Sequence, residues 1–280
     1  MRACATVVAL SIAGSACKDH GKASAALAAG DDAYMASLVE KDVAEVERGL
    51  PEGAKELASL LANGADPQKD TAGVRKALGR IRRDVADLNI AKSTFFALTD
   101  PSGVAIRNDL EEDVMAGQNL IALFPDLAKA KDGFVTATGR FPNGAGKSGP
   151  DKDWIAGAPV RRTDGSTGAI LVTGWSYRYF ARHLQSTLES RLLDQAKAEG
   201  AGGKLPVYYV AVFDSSGVYP APLTPGVDEQ ALSGEGLAAK TANGPTQGVL
   251  TITDREFGYA AQRAPKLGPD TGVVVLRSDN

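Results

Sequence analysis

Between Ser24 and Lys92 the apolar residues recur at helical spacing, and beyond Lys92 they gather into short runs broken by turn residues. The segment from Asp31 to Arg48 meets Gly49 and then Pro51, a pattern that predicts a helix stop and a restart. A second helix is predicted over 51–63, ending before Gly64 with Pro67 close behind. A third carries Val74, Leu78, Ile81, Val85 and Leu88 on one stripe. Such a stripe serves either the protein's own body or the seam of a homodimer through the N-terminal helices.

After Lys92 the pattern is that of strands. Residues 94–106, "TFFALTDPSGVAI", read as two apolar runs around a turn at Pro101 and Gly103. A helix around Asn119–Lys131 precedes the strand "GFVTATGRF", and a Gly-rich stretch leads to "WIAGAPV". The turn "RRTDGSTG", the strand "GAILVTGW" and an amphipathic helix over 177–199 follow, the last with Phe180, Leu184, Leu188 and Leu192 on one side. The flexible "GAGGK" at 200–204 marks a boundary.

Beyond that boundary the order begins again. "YYVAVFDSSGV" at 208–218 lies over "TFFALTDPSGV" at 94–104, pairing Asp100 with Asp214. "GVLTIT", "YAAQRA" and "TGVVVL" then lie over "GFVTAT", "IAGAPV" and "TGAILV" in the same order. A unit present twice in one order predicts duplicated architecture. Each copy reads strand, strand, helix, strand, strand, strand: an antiparallel sheet with helices laid against it, hence an α+β fold. The predicted organisation is a helical region at 17–92, one sheet domain at 93–199 ending in the linking helix 177–199, a connector at 200–205 and a second sheet domain at 206–280.

The copies differ in bulk. Aligned this way, Ala137, Gly157 and Ala169 of the first stand opposite Ile252, Ala261 and Val273 of the second. One reading gives the first domain a roomier interior, suited to a small molecule; the other has larger residues filling that space from the helix side. The candidate ligand residues are Arg107 and Asp109 ending the second strand, Ala137 and Arg140 on the third, and Trp154 and Gly157 on the fourth. An arginine pair would suit an anionic or zwitterionic metabolite. The alternatives are a solvated turn for Arg107 and Asp109, a rim charge for Arg140 and a core aromatic for Trp154.

The Gly-rich stretch includes "GAGKSG" at 144–149, which invites comparison with a phosphate-binding loop. The first glycine that such a loop needs is replaced by Phe141, and no helix opens after it. It reads instead as an insertion between two strands, able to act as a lid.

Composition narrows the function classes. A net charge of -3 over 280 residues offers no basic face for nucleic acid. Two histidines and two cysteines are too few for a multi-ligand zinc site, and no metal or other cofactor is expected. No Gly-x-Ser-x-Gly or His-Glu-x-x-His motif is present, so no enzyme is expected. His183 is expected on the surface. Glu111, Glu112 and Asp113 lack calcium-loop spacing.

The first residues, "MRACATVVALSIAGSAC", place Arg2 before an apolar run and small residues, the layout of a signal peptide over 1–16. Cys17 would then be the first mature residue. It would carry a lipid anchor if this is a lipoprotein cleavage box, or a free thiol after ordinary cleavage.

An export signal, a long helical lead, a sheet domain, a linking helix and a second sheet domain resemble the double Cache family of extracytoplasmic sensors. The resemblance implies two PAS-like folds, with a small-molecule site in the first. The family's clustered aromatic and arginine set for amino acids is absent, so no ligand identity is carried over. Family members usually continue into a transmembrane helix and a cytoplasmic output, whereas this chain stops at Asn280. The resemblance therefore implies a lipid-anchored sensor of the bacterial envelope that signals through a partner protein. The alternative is a structural adaptor of the envelope without a ligand.

Overall fold

A computed structural model describes residues 20–62, 66–88, 94–142, 151–198, 200 and 205–279. The signal peptide, Cys17, the GAGKSG loop and most of the 200–205 connector lie outside the described residues.

Helix α1 (His20–Ala62) is one continuous helix of 43 residues, about 65 Å long. The expected stop at Gly49 and restart at Pro51 are therefore corrected. Val39, Val43, Val46, Leu50, Ala54 and Leu57 keep a single buried stripe that runs straight across the proline. Pro51 forfeits one intrahelical hydrogen bond, a cost of about 3 kcal/mol. Burial of that many apolar side chains, each worth about 1.5–3 kcal/mol, outweighs it. Gly49 is not a cap either. A Cβ there would lie 2.8 Å from the Leu88 side chain, so the glycine lets the next helical segment approach.

That segment begins with α2 (Thr71–Asp84), whose first turn is capped by Asp70 accepting from the Gly73 N–H. A 3₁₀ turn at Ala86–Leu88 follows. Val74, Leu78, Ile81, Val85 and Leu88 are all buried in the core shared with α1. Their stripe is consumed within the chain.

The first sheet contains β1 (Phe95–Thr99), β2 (Ala105–Asn108), β3 (Val135–Gly139), β4 (Asp153–Arg161) and β5 (Thr167–Ser176). Between β2 and β3 lie the short α3 (Leu120–Leu123), capped by Asn119, and a 3₁₀ segment at Pro125–Lys131. Helix α4 (Tyr177–Ala198) starts directly after β5. The second unit repeats the plan with β6 (Val207–Asp214), β7 (Gly217–Pro220), α5 (Gly226–Ser233), α6 (Leu237–Lys240), β8 (Thr246–Ile252), β9 (Arg255–Arg263) and β10 (Gly272–Ser278).

Both sheets are fully antiparallel, in the orders β2-β1-β5-β4-β3 and β7-β6-β10-β9-β8. The duplication thus holds strand for strand. It extends to the first turn of each copy: Asp100 Oδ1 accepts from the Ser102 N–H at 2.8 Å, and Asp214 Oδ1 from the Ser216 N–H at 2.7 Å. Short polar side chains that bond the backbone two residues on fix such turns.

Inner faces of both sheets pack on α1 in one core that also takes in α2 and α4. The outer faces carry separate cores: the first beneath α3 and the 3₁₀ segment, the second beneath α5 and α6.

The ladders correct the alignment of the copies. With Asp100 over Asp214, the β1–β5 and β6–β10 pairings place Ala169 over Thr271 rather than Val273. The β3–β4 and β8–β9 pairings place Ala137 over Gly248 rather than Ile252. Both slips are even numbers of residues, which leaves every side chain on its own face and so escapes detection in the sequence pattern. Gly157 over Ala261 stands. A Cβ at Gly157 would lie 2.5 Å from Leu127 Cδ1 and 3.0 Å from the Ala130 methyl, so the 3₁₀ segment fills that space. Ala169 faces the inner core and Ala137 the outer one. These three positions do not open a common void.

Candidate ligand site

A cavity lies farther along the outer face of the first sheet. Strand alternation puts Trp154, Ala156 and Ala158 toward α1, and Asp153, Ile155 and Gly157 toward the outer face. Asp153 begins β4, paired with Ser176, the last residue of β5, on one side and with Gly139 on the other. Beside it opens a cavity of about 270 Å³. That is the liquid volume of about nine waters.

One wall is the segment from Leu110 to Gln118, and the sequence folds it onto a single hub. Asp113 accepts from the Asn108, Met115 and Ala116 N–H groups, each at 3.0 Å, and forms an ion pair with Arg107 at 3.1 Å. Arg107 also donates to the Leu110 carbonyl at 2.9 Å. The wall turns Leu110, Val114 and Met115 into the cavity. Phe95 and Phe141 close another side, with ring centroids 5.8 Å apart edge to face.

The polar part is concentrated near the start of α4. Asp151 Oδ1 accepts from the Lys152 N–H at 2.8 Å and the Arg178 N–H at 3.2 Å, inside the first turn of α4. Its other oxygen is buried without a hydrogen-bond partner. The same holds for Asn108 Nδ2, on a side chain with 0% exposure, and for Gln118 Oε1. All three residues line the cavity. Buried polar groups are almost always paired, with protein or with ordered water, so an occupant of this cavity would meet three open polar atoms.

Asp153 accepts the Phe141 N–H at 3.1 Å. Burial pushes its carboxyl up to about 6; the Phe141 hydrogen bond opposes this, the nearby Asp151 charge adds to it, and Arg140 opposes it. Arg178 is buried at the same place, and its guanidinium is held bidentately by Glu229 of α5 at 2.6 and 3.3 Å. Pro222 completes the lining from the second unit, so the cavity sits where the two units meet.

In sequence, no family model and no curated protein matches this chain. In structure it is similar to the ligand-binding domain of the Campylobacter jejuni chemoreceptor Tlp3. Against the complex with L-norvaline the TM-score is 0.56 at 11% identity, covering 92% of this chain and 91% of that one. Against the complex with 4-methylisoleucine it is 0.55 at 11% identity, covering 93% and 92%. The fold is that of these ligand-binding domains, in keeping with the resemblance drawn from the sequence. An extracellular ligand binding receptor from Desulfohalobium retbaense has a TM-score of 0.51 at 13% identity, covering 89% of this chain and 39% of that one.

Within this fold, none of the six candidates from the sequence lines the cavity. Arg107 holds the wall from behind through Asp113. Asp109 faces α2, with Arg82 at 2.7 Å, and accepts the Phe96 N–H at 2.8 Å. Arg140 lies at the junction of the units, its Nη2 3.4 Å from the Tyr219 hydroxyl. Trp154 is on the opposite face of the sheet, stacked on Trp175 at 4.2 Å between centroids. Ala137 and Gly157 lie under the 3₁₀ segment and its core. Arg107 and Arg140 therefore do not converge as a pair on the cavity. His183, expected on the surface, is hydrogen-bonded to the buried Asp42 of α1 at 3.0 Å.

The residues missed were Asn108, Asp151, Asp153 and Arg178. A signal for one of them was present: at the register set by the ladders, Asp153 takes the place held in the second copy by Phe257, a core aromatic.

Proposed function

We propose that this chain is an exported sensory protein that binds a small molecule in the cavity of its first sheet unit and reports through a partner protein of the envelope. The observation that carries the reading is the set of buried polar atoms of Asn108, Gln118 and Asp151, unpaired and gathered at one largely apolar cavity. Few convergent polar groups in an apolar, pre-formed hollow are the physical signature of a ligand site. The leader-like first 16 residues and the receptor ligand-binding domains among the structural neighbours support export and sensing. Anchoring through Cys17 would keep the sensor at a membrane, since among the described residues no helix is long and apolar enough to cross one.

The cavity draws walls from both units, and Arg178 beside it is tied to Glu229 of α5. A ligand there would bear on the relation between the units, which is the means of signalling we favour. The test is thermal unfolding in the presence of amino acids, organic acids, amines and purines. A compound that binds only the native state must raise the melting temperature. A rise for at least one class supports the sensor; no rise across all classes supports the ligand-free adaptor.

A further inference from the structure

Resting on the reading of this cavity as a ligand site, we infer that its ligand is an organic cation: a protonated amine on an apolar body, without a carboxylate of its own. Three observations converge on this chemistry.

The first is the charge on the wall. Asp151 and Asp153 both line the cavity, and each is more than nine-tenths buried. The lining cation, Arg178, is committed to Glu229 by both terminal nitrogens. Among the described residues, the nearest neighbours thus hold three carboxylates against one guanidinium, with Arg140 at the junction beyond them. The unmatched acceptors, Asp151 Oδ2 and Gln118 Oε1, call for N–H or O–H donors, and the unmatched Asn108 Nδ2 calls for one acceptor. An anionic group would meet the two carboxylates instead.

The second is the comparison of the two copies. Asp153 occupies a ladder position that the second sheet fills with the buried ring of Phe257. A buried carboxylate in place of a core aromatic costs stability unless something pairs with it. Such a local conflict with the fold is characteristic of functional positions.

The third is the apolar remainder. Phe95, Met115 and Phe141 form the interior, while Leu110, Val114 and Tyr179 stand exposed at the opening. Exposed large apolar side chains gathered at a cavity mark a binding surface. A bare divalent ion is a poor occupant: it takes six or more oxygens, and among the described residues no cluster of three potential metal ligands exists.

Protonation follows from the same geometry. Among the described residues, the charges that act on Asp153 are Asp151 beside it and Arg140 from the end of β3; Arg178 and Tyr179 from α4 line the same cavity, and Glu229 from α5 holds Arg178. Below about pH 6 Asp153 takes up a proton, and its attraction for a cation falls away.

The experiment is calorimetric titration of the intact protein at pH 7.5 with four compounds of one shape: 2-phenylethylamine, 2-phenylethanol, 3-phenylpropanoate and phenylalanine. The expected result is that the amine binds at least tenfold more tightly than the other three, and more weakly at pH 5.5. Asp153→Asn is expected to remove the amine's advantage. Asp151→Asn, which leaves the β4 ladder untouched, serves as the second variant, and thermal unfolding of both confirms that they fold. Equal or tighter binding of the acid, the alcohol or the amino acid overturns the cation assignment while upholding the site. An amine advantage that survives both substitutions also overturns it. If none of the four binds and the broader thermal panel is also silent, the sensor reading itself fails.

Discussion

Asp153 in the first sheet and Phe257 in the second hold the same place in the same ladder. Asp153 begins the outward face of β4, Phe257 lies one step inside the outward face of β9, and each is buried. In the second copy the ring packs with Tyr209, at 6.4 Å between centroids, in a closed outer core. In the first copy the position holds a carboxylate at the edge of a cavity. One fold has thus been built twice with opposite solutions at one site, an apolar plug and an acidic opening.

The free protein should bear a cost for that carboxylate, and the cost has a pH signature. The folded-state value of about 6 lies above the ordinary 3.8, so the native state holds the proton more tightly than the unfolded one. Asp153 therefore destabilises the native state above pH 6, and the penalty fades as the pH falls from 6 toward 4. Asp153→Asn should be more stable than wild type at pH 7.5, by at most about 3 kcal/mol. The gap should close near pH 4. Urea unfolding of both proteins across this range measures it.

Replacing the acid by the residue of the second copy should plug the cavity. Asp153→Phe is expected to fold, with a melting temperature at or above that of wild type at pH 7.5, and to lose every ligand-induced rise in melting temperature. A variant that melts normally and still responds to ligand would place the site elsewhere.

The continuous α1 makes an opposite prediction from a helix that restarts at Pro51. Within a continuous helix the proline leaves the Glu47 carbonyl without its N–H partner, and Pro51→Ala restores it. The variant should be more stable by about 1–3 kcal/mol. If a helix began there, proline would be favoured at its first turn and the substitution would be neutral or harmful. Chemical denaturation distinguishes the two.

Close approach of α1 to the second sheet depends on Gly258. A Cβ at that position would fall on the backbone of Ser24 and Ala25, which no side-chain rotation relieves. Gly258→Ala should therefore cost about 1–3 kcal/mol by forcing the helix away. Unfolding free energies of the variant and wild type test this.

How much of this was legible in the sequence varied by element. The succession of strands along the chain, the duplication and the Asp100 and Asp214 turns could be read because alternation and turn chemistry are local. The stripe from Val74 to Leu88 was legible as a packing face, but only the fold shows that α1 covers it. Gly49 and Pro51 misled because both are punctuation in isolation, and burial of Leu50, Ala54 and Leu57 overrides them. Register was lost at β3 and β5, where an even slip keeps every side chain on its face. Trp154 was read as a contact because the strand's facing could not be fixed from "WIAGAPV" alone. Asp151 and Asp153 were passed over, since the cavity they line is completed by Asn108 and Arg178, which are distant in sequence.

The central claim is that the hollow beside Asp153 is where this protein meets its ligand. The most direct measurement is nuclear magnetic resonance of the protein titrated with the tightest binder from the panel. The account predicts that the side-chain amide signals of Asn108 and the methyl signal of Met115 move together with saturation, while signals of Phe257 and Tyr259 stay in place. Shifts confined to the second sheet, or an unmoved Asn108 at saturation, would contradict it.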